Sequence, residues 1–507
     1  MRLFSMSSGR ARVRLVQAGM ALMAAALIAG CGSSYRPVIT PINPSGPSAQ
    51  PTSYAVVVSA PSPTTAGIAT IIDYSGDTVM AIAPIGPGPS NFTIDAFGAT
   101  GYTLNSDGTL SNFPISTSLQ AKYVTYSTLA ATAQPVNLMS PSLGLWAADL
   151  YGNVADLFRL SPAAFELAVP VAPTPVTIVG TPTVQGQREY AISQNFTDPT
   201  GVTCNTAPTT APTGLATPIE ISTNSTDPTI PLGKCPVYAV QTPDLKRLFV
   251  MNRGDDTITV INTQNNTLDA CTPFQNQNGQ TITCHPTLPL STTAVTATGF
   301  TPPNGTSGMT AIAGPVYAEY NSTTNQLVVA NYDGGTISVI DVTLDEYGND
   351  GPTFGTTYTI PVGNNPASVT VLYDGSRAYT ANQADGTVTI ANLSTHTVEK
   401  TLTVVGHPRS VASTQNSGYD KVYAASPDSP YITILESTPT TTDQVDTTVL
   451  VEGNVVDVRV TTQNGIGGNS NIVSRTPGHG EPCNLPPALM VSTYGSNYTL
   501  KQCEAIP

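Results

Sequence analysis

The strongest constraint on the fold is a short phrase that the chain repeats three times. It reads FVMNRGDDTITVIN at 249–262, VVANYDGGTISVID at 328–341 and YTANQADGTVTIAN at 379–392. Each copy joins a β-rich run to a turn that begins with Asn and contains Asp or Gly, and then continues with alternating β-branched residues. This pattern is typical of a β-hairpin, so the chain contains at least three equivalent hairpins.

A longer repeat surrounds each hairpin. Residues 377–414 contain two alternating runs, a third run in EKTLTVV, and Gly and Pro before the next unit. A unit of about 44 residues fits four short strands, and tandem units of this size predict the blades of a β-propeller. An open solenoid is the alternative. The strand before the turn recurs near residues 54, 102, 146, 189, 248, 327, 378 and 422.

The residues FVMN, VVAN and YTAN, the TISVID-like strands and the IPVGNNP turn at 360–366 resemble the YVTN-type β-propeller repeat family. The strong repeats cover about 246–436, and weaker copies extend to about 54–460. This resemblance implies an all-β propeller whose usual size is seven blades, whereas eight markers are present. We therefore expect seven or eight four-stranded blades. The family includes surface, secreted and periplasmic proteins, and related propellers include both enzymes and binding proteins.

The ring is expected to close through its ends. The repeat region starts with a second strand at 54–60 and finishes with a first strand at 454–460, so pairing them in one blade would satisfy both edges. Insertions are expected at about 196–232 and 270–306, and a C-terminal tail at 461–507.

The N-terminus has the features of an export signal. Residues 1–30 contain a basic segment and then an apolar run of small residues. Leu27-Ile28-Ala29-Gly30-Cys31 resembles the bacterial lipobox, which implies lipidation at Cys31 and predicts attachment to the outer membrane. An ordinary signal peptide is the alternative. Residues 31–53 are rich in Pro and Ser and are interpreted as a spacer.

Composition indicates which partners to expect. Only 10% of the residues are charged, and the formal net charge is −14 at pH 7. Such a chain repels a phosphate backbone, which argues against nucleic acid as a partner. We expect a membrane attachment through lipid and a protein or small-molecule partner.

The remaining cysteines are even in number, as expected of an oxidising compartment. Because they fall into three sequence-local couples, we predict three disulfides. A zinc site is the alternative, although no CxxC or HxxxH spacing is present. The predicted pairs are Cys204–Cys235, Cys271–Cys284 and Cys483–Cys503.

No residue is predicted to be catalytic or to bind a metal or a cofactor. The repeated Asn252, Asn331 and Asn382 are interpreted as structural, since an Asn amide suits a tight turn by bonding the local backbone. The acidic residues of the hairpin turns GDDT, YDGGT and ADGT lack the alternating D-x-D-x-DG spacing of a calcium loop. The same structural interpretation applies to the histidines, which are His285, His396, His407 and His479.

Three functional hypotheses follow. The first is a lipid-anchored, non-catalytic propeller that acts as a binding or scaffold protein of the cell envelope. The second is a lactonase- or dehydrogenase-like enzyme, which predicts Asp, Glu, Asn or Arg side chains that converge from several innermost strands at the mouth of the channel. The third is a structural component of the cell surface.

Overall fold

The computed structural model describes residues 53–461. The residues left out within this range are 96, 131–132, 134, 140–143, 161–162, 181–187, 197–210, 277–278, 291–312, 415–419 and 438–442. The predicted signal, Cys31, nearly all of the spacer, Cys204, Cys483, Cys503, His479 and the tail beyond 461 therefore lie outside the described residues.

The regular secondary structure of the described residues is nearly all β-strand, with one short 3-10 turn at Ala121–Tyr123. Blade 1 contains β1 (Tyr54–Ala60), β2 (Ala66–Asp73) and β3 (Val79–Pro87). Blade 2 contains β4 (Asn91–Ile94), β5 (Thr100–Leu104), β6 (Thr109–Pro114) and β7 (Thr125–Thr128). Blade 3 contains β8 (Pro135–Met139), β9 (Leu145–Asp149), β10 (Val154–Arg159) and β11 (Ala164–Pro170).

The middle blades have additional short strands. Blade 4 contains β12 (Pro175–Val179), β13 (Arg188–Ser193), β14 (Thr213–Glu220), β15 (Ser225–Thr226) and β16 (Ile230–Lys234). Blade 5 contains β17 (Pro236–Gln241), β18 (Arg247–Asn252), β19 (Thr257–Asn262), β20 (Thr267–Leu268) and, after the separate hairpin of β21 (Phe274–Gln275) and β22 (Thr281–Ile282), β23 (Thr287–Pro289). Blade 6 contains β24 (Pro315–Asn321), β25 (Gln326–Asn331), β26 (Thr336–Asp341) and β27 (Thr357–Pro361).

Blade 7 contains β28 (Pro366–Val371), β29 (Arg377–Asn382), β30 (Thr387–Asn392) and β31 (Thr397–Thr403). Blade 8 contains β32 (Ser410–Ser413), β33 (Lys421–Ala425), β34 (Tyr431–Glu436) and β35 (Gln444–Leu450). The last strand, β36 (Asn454–Val460), returns to blade 1. The eight sheets form a ring, so the architecture is an eight-bladed β-propeller, which confirms the predicted fold class.

The ring closes in blade 1, as predicted. Strand β36 is the innermost strand of this blade and pairs antiparallel with β1, where Ala55 is opposite Val460. The backbone N–H of Tyr54 donates to Thr461 Oγ1 at 2.7 Å, and the N–H of Thr461 donates to the carbonyl of Tyr54 at 2.9 Å. The two ends of the repeat region are therefore joined, and no edge strand is left at the seam.

Both segments expected to be insertions contain strands. Strands β14, β15 and β16 belong to blade 4, so most of 213–234 lies in the sheet, and the additional residues of this blade lie between β13 and β14. In blade 5, β20 and β23 pair with opposite ends of β19, which divides the outermost strand into two pieces. The Cys271–Cys284 disulfide closes the hairpin between those pieces, as predicted.

Burial differs between inner and outer strands. All six residues of β29 are buried, whereas β31, the outermost strand of the same blade, has no buried residue. Both faces of an inner strand pack against neighbouring blades, which explains why such strands read as nearly continuous apolar runs. In the outermost strand, exposed and half-buried residues alternate because this strand lies at the rim of the ring.

Ion pairs connect neighbouring blades. Arg247 begins the second strand of blade 5, and its Nη2 donates to Asp350 of blade 6 at 3.0 Å. Arg377 occupies the same position in blade 7 and donates to Asp443 of blade 8 at 2.7 Å. Both pairs are buried, so they stabilise contacts between blades that apolar packing alone would leave unspecified.

Candidate axial site

The innermost strands share a backbone irregularity. In β8, β12, β17, β24 and β28 the register shifts between the opening Pro and the second residue after it. Proline fits here because the innermost strand borders the channel and its first residue needs no ladder N–H. The shifted residues are therefore equivalent in five blades; they are Asn137, Thr177, Tyr238, Tyr317 and Ser368.

Polar side chains at this level bond the next blade. Asn91 Oδ1 of blade 2 accepts from the N–H of Leu138 in blade 3 at 3.1 Å. Ser368 Oγ of blade 7 donates to the carbonyl of Arg409 at 2.9 Å and accepts from Val411 N–H at 3.2 Å. These bonds satisfy backbone groups at the inner edges of the sheets, so small polar residues here connect blades.

Larger side chains occupy the same region in blades 5, 6, 8 and 1, and we call them the axial cluster. The axial cluster consists of Tyr238, Tyr317, Glu319, Arg409, Asp457 and Arg459. Tyr238 lies in β17, whereas Arg459 lies in β36, four blades away on the opposite side of the eight-bladed ring. The axial cluster therefore draws on innermost strands from opposite sides of the ring.

Contacts and electrostatics place these residues together. The rings of Tyr238 and Tyr317 stack with centroids 4.6 Å apart. Burial raises the pKa of Tyr238 well above its usual value, and Tyr317 and Glu319 raise it further, while the positive charge of Arg459 lowers it. Groups from three innermost strands thus influence one another electrostatically, and two of them are in contact.

Asp457 is the centre of the charged part of the cluster. Its Oδ2 accepts from Arg459 Nε at 3.0 Å, and its Oδ1 accepts from the N–H of Val458 at 2.8 Å. Burial raises the pKa of Asp457, and the charges of Arg459 and Arg409 oppose that effect. Each carboxylate oxygen accepts a hydrogen bond, and the bond from Arg459 Nε means that Asp457 orients this guanidinium.

Arg459 has an unused donor. Its side chain is 6% exposed, and Nη2 is buried without a hydrogen-bond partner in the described part of the chain. Buried polar groups in native proteins usually have a partner in protein, water or an ion. The free end of this guanidinium is therefore the feature of the axial cluster that most directly indicates a ligand.

The repeated asparagines lie away from the axis, at the hairpins between the second and third strands. Asn331 Nδ2 donates to Thr336 Oγ1 at 3.0 Å and to Ser338 Oγ at 2.9 Å. Asn252 and Asn382 make the same two bonds in blades 5 and 7. Each amide therefore bonds hydroxyl groups of the next strand, where bonds to the local backbone were expected.

The hairpin acids and the histidines also lie outside the axial cluster. Asp255 Oδ2 accepts from Lys234 N–H at 2.9 Å, so this carboxylate holds the loop that enters blade 5. His407 N–H bonds Asp428 at the corresponding loop of blade 8 at 2.8 Å. His285 Nδ1 lies 2.8 Å from Asp350 at the outer rim. Within the described ranges, no three His, Cys, Asp or Glu side chains are grouped as a metal site would require.

Sequence reasoning missed the axial cluster. One signal was available, since PVYA occurs at 236–239 and again at 315–318, and both copies begin innermost strands. The segment VVDVRV at 455–460 has no counterpart of this kind. Only the closure of the ring brings its Asp457 and Arg459 to the axis.

Comparisons with known proteins identify the fold alone. No family model matches the chain, and no curated protein matches it. Citrobacter koseri AztD is similar in structure, with a TM-score of 0.52, 12% identity and coverage of 80% of this chain and 97% of that one. The dihydro-heme d1 dehydrogenase NirN has a TM-score of 0.52 and 12% identity, with coverage of 84% and 78%. Among the described residues, no helix is long and apolar enough to cross a membrane.

Proposed function

We propose that this chain is a binding protein of the bacterial cell envelope, attached to the outer membrane through a lipid on Cys31, with its ligand site in the axial cluster. We also propose that its blades are YVTN-type repeats, on the strength of the FVMN, VVAN and YTAN phrases. The observation that carries the binding role is the grouping of buried charged and aromatic side chains from three innermost strands, β17, β24 and β36, with Arg409 immediately before a fourth, β32.

The hydrogen bonding of the axial cluster favours binding over acid–base catalysis. A general base needs a lone pair within reach of the substrate proton. Asp457 accepts from Arg459 with one oxygen and from the backbone N–H of Val458 with the other, and its side chain is fully buried. Arg459, in contrast, retains a donor that an acceptor on a ligand can fill.

The binding role is tested by thermal shift on the full chain in detergent, with metals, sugars, lactones and small anions. A ligand of the axial cluster should raise the Tm of the wild type and not that of Arg459→Gln. Asp385→Asn is a matched control, since it alters a charged residue at a hairpin away from the axis. Ligands that stabilise all three proteins equally, or no stabilising ligand at all, would count against the axial site.

Lipid attachment is tested separately. Cells that express the full chain are labelled with radioactive palmitate, and the protein is immunoprecipitated. We expect label on the wild type and none on Cys31→Ser, which should also leave the membrane fraction. Labelling of both proteins, or of neither, would contradict the anchor while leaving the axial site untouched.

A lactonase- or dehydrogenase-like enzyme is the second candidate, because acidic and basic side chains from several innermost strands do converge at the axis. Glu319 is the other carboxyl group of the axial cluster, and it is therefore the residue to test. Lactone hydrolysis that falls at least about 100-fold in Glu319→Gln would establish the enzyme. No turnover by a chain that still binds ligand would exclude it for those substrates.

A further inference from the structure

The two ends of the Arg459 guanidinium have different surroundings. At one end, Nε donates to Asp457 at 3.0 Å, and at the other, Nη2 is buried and has no hydrogen-bond partner among the residues that the structure describes. A guanidinium cannot lose its charge at any relevant pH, so it cannot adapt to burial by deprotonation. Leaving its N–H groups without an acceptor is unfavourable, and because the described residues supply none, this end of Arg459 is a position for a ligand acceptor.

The charges around Asp457 favour an anion as that acceptor. Asp457 is influenced by two guanidinium groups, Arg459 and Arg409. Arg409 Nη2 donates to a neutral acceptor, the carbonyl of Val456, at 3.0 Å. Two guanidinium groups therefore act on Asp457, whereas Glu319, the other acid of the axial cluster, is one of the charges that act on Tyr238.

We propose that Arg459 holds a small monoanion, a halide or the carboxylate group of a small organic acid, at Nη2 in the centre of the channel. This inference rests on the proposed function, because it assigns the chemistry of the ligand to the same axial cluster. Enclosure limits the size, since Tyr238 is 2% exposed and the Arg459 side chain 6%. Because these side chains are almost fully buried, an anion of a few atoms fits best.

The first experiment titrates the full chain with sodium formate or sodium bromide and follows Tm. Sodium gluconate keeps the ionic strength constant, because its anion is too large for the enclosed site. We expect saturable stabilisation of the wild type and affinity at least about tenfold weaker in Arg459→Gln, which is the loss expected for one charge-assisted hydrogen bond. Glu319→Gln should bind more tightly, because it removes a negative charge from the axial cluster. Equal responses in all three proteins would overturn the proposal.

The second experiment does not depend on a variant that folds. Wild-type crystals are soaked in bromide, and anomalous scattering is measured. A bromide peak within hydrogen-bond distance of Arg459 Nη2 is expected, and a water molecule there in its place would refute the proposal. Saturation with formate but not with bromide would identify a carboxylate as the natural group, and the reverse result would identify a halide.

The two proposals can fail separately. If a neutral sugar or lactone stabilises the wild type but not Arg459→Gln, while neither anion does, the axial cluster remains the ligand site and the anion assignment is wrong. If no compound distinguishes the wild type from Arg459→Gln and no bromide binds, both proposals are wrong.

Discussion

Blades 3 and 6 build the same hairpin from different side chains. Asn331 pairs with Thr336 across the hairpin in blade 6, as Asp149 pairs with Val154 in blade 3. In blade 6 the N–H of Gly335 donates to the carbonyl of Asn331, and in blade 3 the N–H of Asn153 donates to the carbonyl of Asp149. Gly335 and Asn153 both have a left-handed backbone conformation.

The chemistry inside the two hairpins differs. In blade 6, the Asn331 amide donates to two hydroxyl groups, one of which belongs to Ser338. In blade 3, the positions of Asn331 and Ser338 are occupied by Asp149 and Asp156, and both are buried. Burial, reinforced by Asp149, raises the pKa of Asp156 to about 7. The same hairpin backbone thus accommodates an amide with a hydroxyl group or two carboxyl groups, because the turn and the strand register specify it. The side chains determine how the stability of the hairpin depends on pH.

Asp156→Asn should have the largest effect. The pKa of Asp156 is raised from 3.8 to about 7 on folding, so the unfolded chain loses the proton first as pH rises. Wild-type stability should therefore fall between about pH 4 and 7, by on the order of 4 kcal/mol, and Asp156→Asn should abolish this fall. Urea unfolding at pH 4, 6 and 8 measures it. Parallel pH curves for the two proteins would show that the carboxyl pair does not control blade 3.

Glu189→Leu extends the comparison to blade 4. Register places Glu189 where blades 5 and 6 have Leu248 and Leu327, and both of its carboxyl oxygens are buried without a partner in the described chain. Burial raises its pKa well above 4.5, so its protonation contributes stability at low pH that is lost as pH rises above the unfolded value. Leu should therefore stabilise the protein at pH 8 by about 2–3 kcal/mol in chemical unfolding.

Glu189→Gln is the control for that prediction. It removes the titration but keeps an unpaired polar group, so it should flatten the pH dependence and stabilise less than Leu does. Loss of stability in Glu189→Leu would mean that the carboxyl has a partner outside the described residues.

Asn331→Ala tests the amide version of the hairpin. Loss of two buried hydrogen bonds should destabilise the protein by about 2 kcal/mol. Asn382→Ala, in the equivalent position of blade 7, should cost a similar amount, and thermal unfolding of both variants measures it. A negligible effect in both would imply that the turn alone maintains the hairpin.

Gly335→Ala should have the smallest effect. Gly335 has a φ of 65°, a left-handed conformation that costs a residue with a Cβ about 1 kcal/mol. Blade 3 has Asn153 with a φ of 54° at this position, so Gly335→Asn should cost less than Gly335→Ala. Equal Tm values for the two variants would show that conformational strain does not decide the residue here.

Much of the fold could be predicted from the sequence, because its signals are local and repeated. The turn phrase, the unit length and the matching strands at 54–60 and 454–460 indicated a closed ring. The disulfide between Cys271 and Cys284 follows from proximity along the chain. The divided outer strands of blades 4 and 5 were missed, because three of their four pieces, β15, β20 and β23, are only two or three residues long and have no periodicity to detect.

The sequence by itself therefore determined the hairpin, the blade and the pairing that closes the ring, since each depends on residues that are close together or on a pattern that recurs. Only the tertiary structure decided what meets at the axis. Arg459 and Tyr238 lie far apart in the chain and in blades on opposite sides of the ring. Eight sheets must close before their innermost strands face one another, and no local pattern records which side chains will then be neighbours.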